Sequence, residues 1–276
     1  MRGRVPALVA GIAALAVVFY VGWRLWVKSG DQLRPVVVLR GADAAALVTP
    51  RLGARLHALA SGGRAPAAGR PRLIALTFDD GPYPVTTPLL LQTLHDLRVP
   101  ATFFLIGRDA EQYPGLTRAI AADGHEIADH TLTHPNLDTL GEADVAAELR
   151  DGADVLNRIA PDPAERRLFR PPHGRYRLAT VRTAQVSGYD TILWNDDPGD
   201  WRSVGTAELT AHVFAHATAP EILLLHSGRT ATIAMLPELV TRYRQAGYAF
   251  VTVGRLLRLT SPAELNRPAA IPFPSS

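Results

Sequence analysis

The chain has 276 residues, 47% of them hydrophobic, a formal net charge of +3 and no cysteine; it can bury one substantial core and excludes disulfides, thiolate ligands and cysteine nucleophiles. Lys28 is the only lysine and no serine sits in a Gly-x-Ser-x-Gly turn, which leaves the body of the protein with Asp, Glu, His and any bound metal for its chemistry. The basic excess is mild and spread along the chain, without the dense stripe of a nucleic-acid binder, so no nucleic-acid partner is expected.

Val5 to Trp23 carries no charge, is flanked by Arg2, Arg4, Arg24 and Lys28, and ends in Tyr20, Trp23 and Trp26. That pattern predicts a single membrane-spanning helix within residues 1–28. The rival is a cleaved secretory signal at Ala14-Leu15-Ala16, but cutting there would expose Val17-Val18-Phe19-Tyr20 as a new terminus. Residues 29–70 read as a juxtamembrane segment and linker, with an apolar patch at Val36–Leu39 and a candidate helix from Ala44 to Ala60. Strand patterns then fall near residues 72–78, 101–105, 125–129, 168–170, 189–194, 221–225 and 249–252, with amphipathic stretches such as Thr87–Leu97 and Leu236–Ala246 between them. This alternation predicts a parallel α/β sheet or barrel over residues 71–260, followed by a Pro-rich, irregular tail at 261–276.

The first of these strands runs into Thr77-Phe78-Asp79-Asp80-Gly81-Pro82. Two carboxylates aimed into one cavity repel each other unless a cation or a proton separates them. A metal on one, beside a proton-handling partner, is the economical arrangement. A solvated turn is the plain alternative, since Asp, Gly and Pro all favour turns. His130-Thr131-Leu132-Thr133-His134 places two imidazoles four apart, which on one helical turn would let both reach a single ion; an ordinary surface pair is again the alternative. Together with Asp80 they would make a donor set with open positions, suited to zinc or another first-row divalent ion. Asp79-Asp80, His130, Arg170, Asp197–Trp201 and His226 all fall at the carboxyl ends of predicted strands, where the loops of parallel α/β folds converge. His57, His95, His125, His212 and His216 have no such company and read as structural or exposed.

With Phe169-Arg170-Pro171-Pro172-His173-Gly174, Asp197-Pro198-Gly199-Asp200-Trp201 and Leu223-Leu224-Leu225-His226-Ser227, these segments occur in the order of the polysaccharide deacetylases, the NodB-homology group of carbohydrate esterases (family four), which the chain resembles over about residues 71–260. The resemblance implies a deformed parallel (β/α) barrel of about seven strands. It also implies a divalent metal, zinc foremost with cobalt or nickel as substitutes, on Asp80, His130 and His134. By the same carry-over Asp79 is the general base, Arg170 its positioning partner and His226 the general acid tuned by Asp200. Trp201 and Leu224 would wall the acetyl pocket, with Pro172 and His173 also lining the substrate site and the His173 N–H serving the oxyanion. The chemistry asks for these types: a polarised amide carbonyl, a water to deprotonate and an amine to protonate as it leaves. His173 stands where many relatives carry Tyr, and Ser227 where Asp is frequent. The function expected is a single-pass, membrane-anchored, monomeric hydrolase, its body outside the cytoplasm, removing N-acetyl groups from a cell-surface glycan, peptidoglycan first. A lipid-linked sugar, a small amide and a non-catalytic glycan-binding module are the alternatives.

Overall fold

A computed structural model describes residues 38–39, 71–161, 168–260, 262–265, 269–270 and 273, all within one compact unit, residues 35–276. The expected anchor at Val5–Trp23, the candidate helix at Ala44–Ala60 and the linker up to Arg70 lie outside the described residues, among which no helix is long and apolar enough to cross a membrane.

The strands are β1 (Val38–Leu39), β2 (Arg72–Asp79), β3 (Ala101–Leu105), β4 (Glu126–Asp129), β5 (Leu168–Phe169), β6 (Asp190–Ile192), β7 (Thr218–Ala219), β8 (Glu221–His226) and β9 (Tyr248–Phe250). The main sheet runs β1-β6-β5-β4-β3-β2-β8, with β9 pairing the start of β2; every pair is parallel except β1 with β6. Between them lie α1 (Thr86–Leu97), α2 (Gly107–Gln112), α3 (Pro114–Ala122), α4 (Glu142–Ile159), α5 (Leu178–Val186), α6 (Thr206–His216), α7 (Thr230–Gln245) and α8 (Val253–Leu259).

Alternation along the strands splits the core into two layers. Ile74, Leu76, Phe78, Phe103, Leu105, Leu223 and Leu225 face outward and pack with α1 and α7 through Leu90, Leu94, Leu236 and Leu239. Ala75, Phe104, Ala128, Leu168, Ile192 and Ile222 face inward and form a smaller cluster. Both faces are therefore buried, which is why these strands read as apolar runs.

The predicted barrel is in fact a half-barrel of six to seven strands. No ladder joins β6 to β8; one bridge, Asp196 to Leu223, crosses there. The chain leaves strand geometry after Ile192, and the Asn195 side chain takes over the ladder's partners, accepting from Ile222 N–H at 2.7 Å and donating to Pro220 C=O at 3.0 Å. Helix α7 starts at Thr230, ahead of the expected Leu236, and carries Pro237 inside it. The tail is less irregular than expected: Pro262–Leu265 forms a helical turn and Ala269–Ala270 pairs antiparallel with β7.

Helix α4 approaches the segment after β4 with no spare room. A Cβ on Gly152 would lie 2.8 Å from Asp129 Oδ1 and 2.9 Å from Leu132 N. Gly152→Ala is therefore expected to destabilise the protein by about 1–2 kcal/mol, overpacking outweighing the roughly 1 kcal/mol that Ala contributes to a helix; the midpoint of urea unfolding checks this.

Candidate active site

Asp79 closes β2 and His226 closes β8, while His130 follows β4 and Arg170 follows β5. Thr77 and Asp79 are two apart on β2 and share its inner face, paired in register with Leu224 and His226 of β8. Arg170 is fully buried among them. Its Nη1 donates to Asp79 Oδ1 at 2.6 Å and Thr77 Oγ1 at 2.8 Å, Nη2 to Leu193 C=O at 3.2 Å and Nε to Ile192 C=O at 3.3 Å. The guanidinium carbon stands 4.0 Å from the centre of the Phe104 ring. Burial raises the Asp79 pKa above the ordinary carboxylate value, and Arg170 and His226 hold that rise in check.

Asp80 turns away from its neighbour through a left-handed backbone, φ 67°. Its Oδ1 lies 3.3 Å from His134 Nε2 and 3.7 Å from His130 Nε2, and the two imidazole nitrogens are 3.2 Å apart. His130 Nδ1 donates to Arg170 C=O at 2.8 Å, so its Nε2 presents a lone pair. Burial drives the His130 pKa down to about 3, against the pull of Asp80, and lowers that of His134 too. Three donor atoms within 4.8 Å of one another, two of them neutral imidazole nitrogens and one a carboxylate oxygen, fit a divalent metal ion.

The two histidines do not lie on a helical turn as expected. Thr131 and His134 take φ of 69° and 60°, and the loop is held by Thr131 N–H to Asp129 Oδ1 (2.8 Å), by Thr133 N–H and Oγ1 to Glu148 (both 2.8 Å) and by Leu132 N–H to Glu148 C=O (3.1 Å). His173, φ 56°, sets its exposed ring edge-on to His134 with centroids 4.5 Å apart. Of the five described non-glycine residues with positive φ, four are thus Asp80, Thr131, His134 and His173; the fifth, Arg98, caps α1. Strain gathered at one place is the mark of a site whose surroundings over-determine it.

On the opposite wall, buried Asp200 accepts His226 Nδ1–H at 2.7 Å through Oδ1, and His226 N–H at 2.8 Å and Thr232 Oγ1–H at 2.6 Å through Oδ2. Burial works against a charged His226, but the Asp200 hydrogen bond and the charges of Asp79, Asp200 and Asp80 outweigh it and raise its pKa to about 9. The site therefore holds a carboxylate with a raised pKa, a three-donor metal cradle and an imidazolium, able together to take a proton from one atom and give a proton to another.

Residues 67–192 match the family model Polysaccharide deacetylase. A peptidoglycan-N-acetylglucosamine deacetylase of Bacillus cereus is 37% identical over 192 residues, covering 68% of this chain and 89% of that protein. The chain belongs to the polysaccharide deacetylase family. It is also 35% identical over 188 residues to a chitooligosaccharide deacetylase of Sinorhizobium fredii, covering 63% of this chain and 87% of that one. Its fold matches the crystal structure of a mutant CE4-family pseudoenzyme with restored enzymatic activity, with a TM-score of 0.65 and 28% identity over 68% of each chain. The resemblance carried by the motifs is borne out, and with it a hydrolase of the polysaccharide deacetylase class.

Within this deacetylase the structure brings together Asp79, Asp80, His130, His134, Arg170, Asp200 and His226. Leu224 is buried on β8 and Pro172 is buried at the turn that carries His173. Trp201 is 52% exposed on the loop holding Asp200. Of the histidines set aside, His125 accepts Ala101 N–H and His212 pairs with Asp196, both structural roles. Two hydroxyls escaped the sequence reading, Thr77 beneath Arg170 and Thr232 beneath Asp200; Ser227, read there only as a departure from the family pattern, donates through Oγ to Asp79 C=O (3.2 Å) and Asp80 C=O (3.1 Å). Only the position of Ser227 beside His226 offered a signal.

Removing a cradle donor should show in metal content: His134→Ala and Asp80→Asn are expected to weaken binding of a divalent ion at least about tenfold, while Asp79→Asn retains it, as calorimetric titration of the metal would read. Thr232→Val leaves a buried carboxylate oxygen one donor short, at a cost of about 1–3 kcal/mol in unfolding free energy, most of which Thr232→Ser should recover in denaturant titration.

Proposed function

We propose that the protein removes N-acetyl groups from amino sugars of a cell-surface polysaccharide, peptidoglycan foremost, and that the Val5–Trp23 segment holds it at the outer face of the membrane as a monomer. The observation that carries this reading is the pairing of a buried carboxylate, Asp79 on Arg170, with a charged imidazole, His226 on Asp200, across a three-donor cradle. The similarity to a peptidoglycan-N-acetylglucosamine deacetylase supports the choice of glycan.

Asp80, His130 and His134 would hold a divalent ion, zinc in the first instance, which would supply Lewis acidity toward the amide carbonyl and the attacking water. Asp79 accepts that proton as the water oxygen bonds to the carbonyl carbon; its raised pKa makes it a stronger base than an ordinary carboxylate. Arg170 orients Asp79 and keeps its charged form accessible in a dry site. By the family resemblance, the His173 N–H would stabilise the oxyanion. His226, with Nδ1–H committed to Asp200, presents Nε2–H to the sugar nitrogen and protonates it as the C–N bond breaks. Free amine and acetate result.

A non-catalytic glycan-binding module is the alternative, and the retention of base, cradle and acid argues against it. The metal-loaded soluble body should release acetate from N-acetylglucosamine oligomers, and Asp79→Asn should not. If both are inert on every acetylated glycan, the binding module is the correct reading. The pH profile of kcat/KM tests the roles: activity rises as Asp79 ionises and falls as pH climbs past about 9, where His226 loses its proton. Asp200→Asn removes the main counterweight to burial, so the alkaline limb should move to lower pH.

A further inference from the structure

Beside the reacting groups lies a cavity of about 340 Å³ that opens directly off Asp80 and His226. One wall is the turn Tyr83-Pro84-Val85, with Val85 72% exposed, and the other is Gly228-Arg229. Pockets of this size accept small ligands, and its apolar wall suits the face of a pyranose. The two walls are fastened together. Ser227 binds the carbonyls of Asp79 and Asp80, and the backbone at Gly228 lies so close to Tyr83 that a Cβ there would come within 2.8 Å of the ring. Arg229 follows at once, exposed, and among the described residues it has no acidic partner and no side-chain hydrogen bond, although its charge is felt at the Tyr83 phenol. A guanidinium at the mouth of a cavity, without a partner among the described residues, is built to meet a planar anion from outside.

We propose that this cavity holds the sugar next to the one being deacetylated, and that Arg229 selects glycans whose neighbouring sugar bears a carboxylate. The inference rests on the deacetylase reading of the site and deepens it: the family's relatives act on neutral chitooligosaccharide as well as on peptidoglycan, and Arg229 assigns this chain to the acidic polymer. A neutral oligomer of N-acetylglucosamine would fill the same cavity and leave the guanidinium in water.

The test uses a peptide-free tetrasaccharide of alternating N-acetylglucosamine and N-acetylmuramic acid with free lactyl carboxylates, its methyl ester, and the N-acetylglucosamine tetramer. The metal-loaded protein is expected to favour the acid over the ester by about fivefold in kcat/KM, the scale of an exposed guanidinium–carboxylate pair. Arg229→Gln should bring the acid-to-ester ratio close to one and Arg229→Lys should keep part of the preference. A ratio near one in the unaltered protein, or a preference that survives Arg229→Gln, overturns the proposal. Calorimetric binding of the same acid and ester to the Asp79→Asn protein reads Arg229 without turnover: an acid preference there that Arg229→Gln removes supports the carboxylate subsite even if no acetate is released, and no preference there overturns it. Loss of acetate release alone would count against the deacetylase reading.

Discussion

The Arg170–Asp79 pair is the constraint on which the rest of the site depends. Taking a guanidinium fully out of water carries a desolvation cost of several kcal/mol, offset only where its donors find partners. Arg170 finds them on β2 through Asp79 and Thr77, at the end of β6 through Ile192 and Leu193, and on β3 through the face of Phe104. The carboxyl ends of these strands must converge for the charge to be tolerated. The same residue lends its carbonyl to His130 Nδ1, so one buried cation orients Asp79 and fixes the tautomer of an imidazole in the candidate metal cradle.

Two histidines in one cavity end with opposite protonation through environment alone. His130 is sealed in, gives its Nδ1–H to a neutral carbonyl and falls to about 3. His226 is also largely buried, yet its Nδ1–H meets a carboxylate and two further acids lie within reach, so it rises to about 9. The roles proposed for them ask for a neutral ligand and a charged acid at the same pH. The fold separates these demands by giving one imidazole a carbonyl and the other Asp200.

The inner layer of the half-barrel turns polar toward the carboxyl ends of its strands. Its inward apolar cluster is small, and the inward positions nearest the carboxyl ends of β2 and β8 are taken by Thr77, Asp79 and His226. The gap between β6 and β8 is crossed by one bridge and by the Asn195 amide, directly ahead of the loop that delivers Asp200 to His226. That stretch departs from strand geometry where it turns toward His226.

The sequence by itself determined the strands, because residues buried on both faces read as uninterrupted apolar runs, and it placed Asp79, Asp80, His130, Arg170 and His226 at their ends. It named the cradle but mistook its backbone: spacing of four fits a helical turn, and nothing local reveals that Thr131 and His134 are held left-handed by Asp129 and Glu148. The amphipathic stretch at Leu236–Ala246 covered only the later part of a helix that runs from Thr230 to Gln245. Thr77 and Thr232 were invisible because a hydroxyl carries no spacing signal, and Ser227 showed only as a departure from the family pattern; each matters through the atom it meets across 32 or more positions in the chain. Residue types and their order along the chain fix which chemistry is available, whereas protonation, tautomer and the identity of each partner depend on burial and on neighbours brought together from distant segments, and those only the tertiary structure decided.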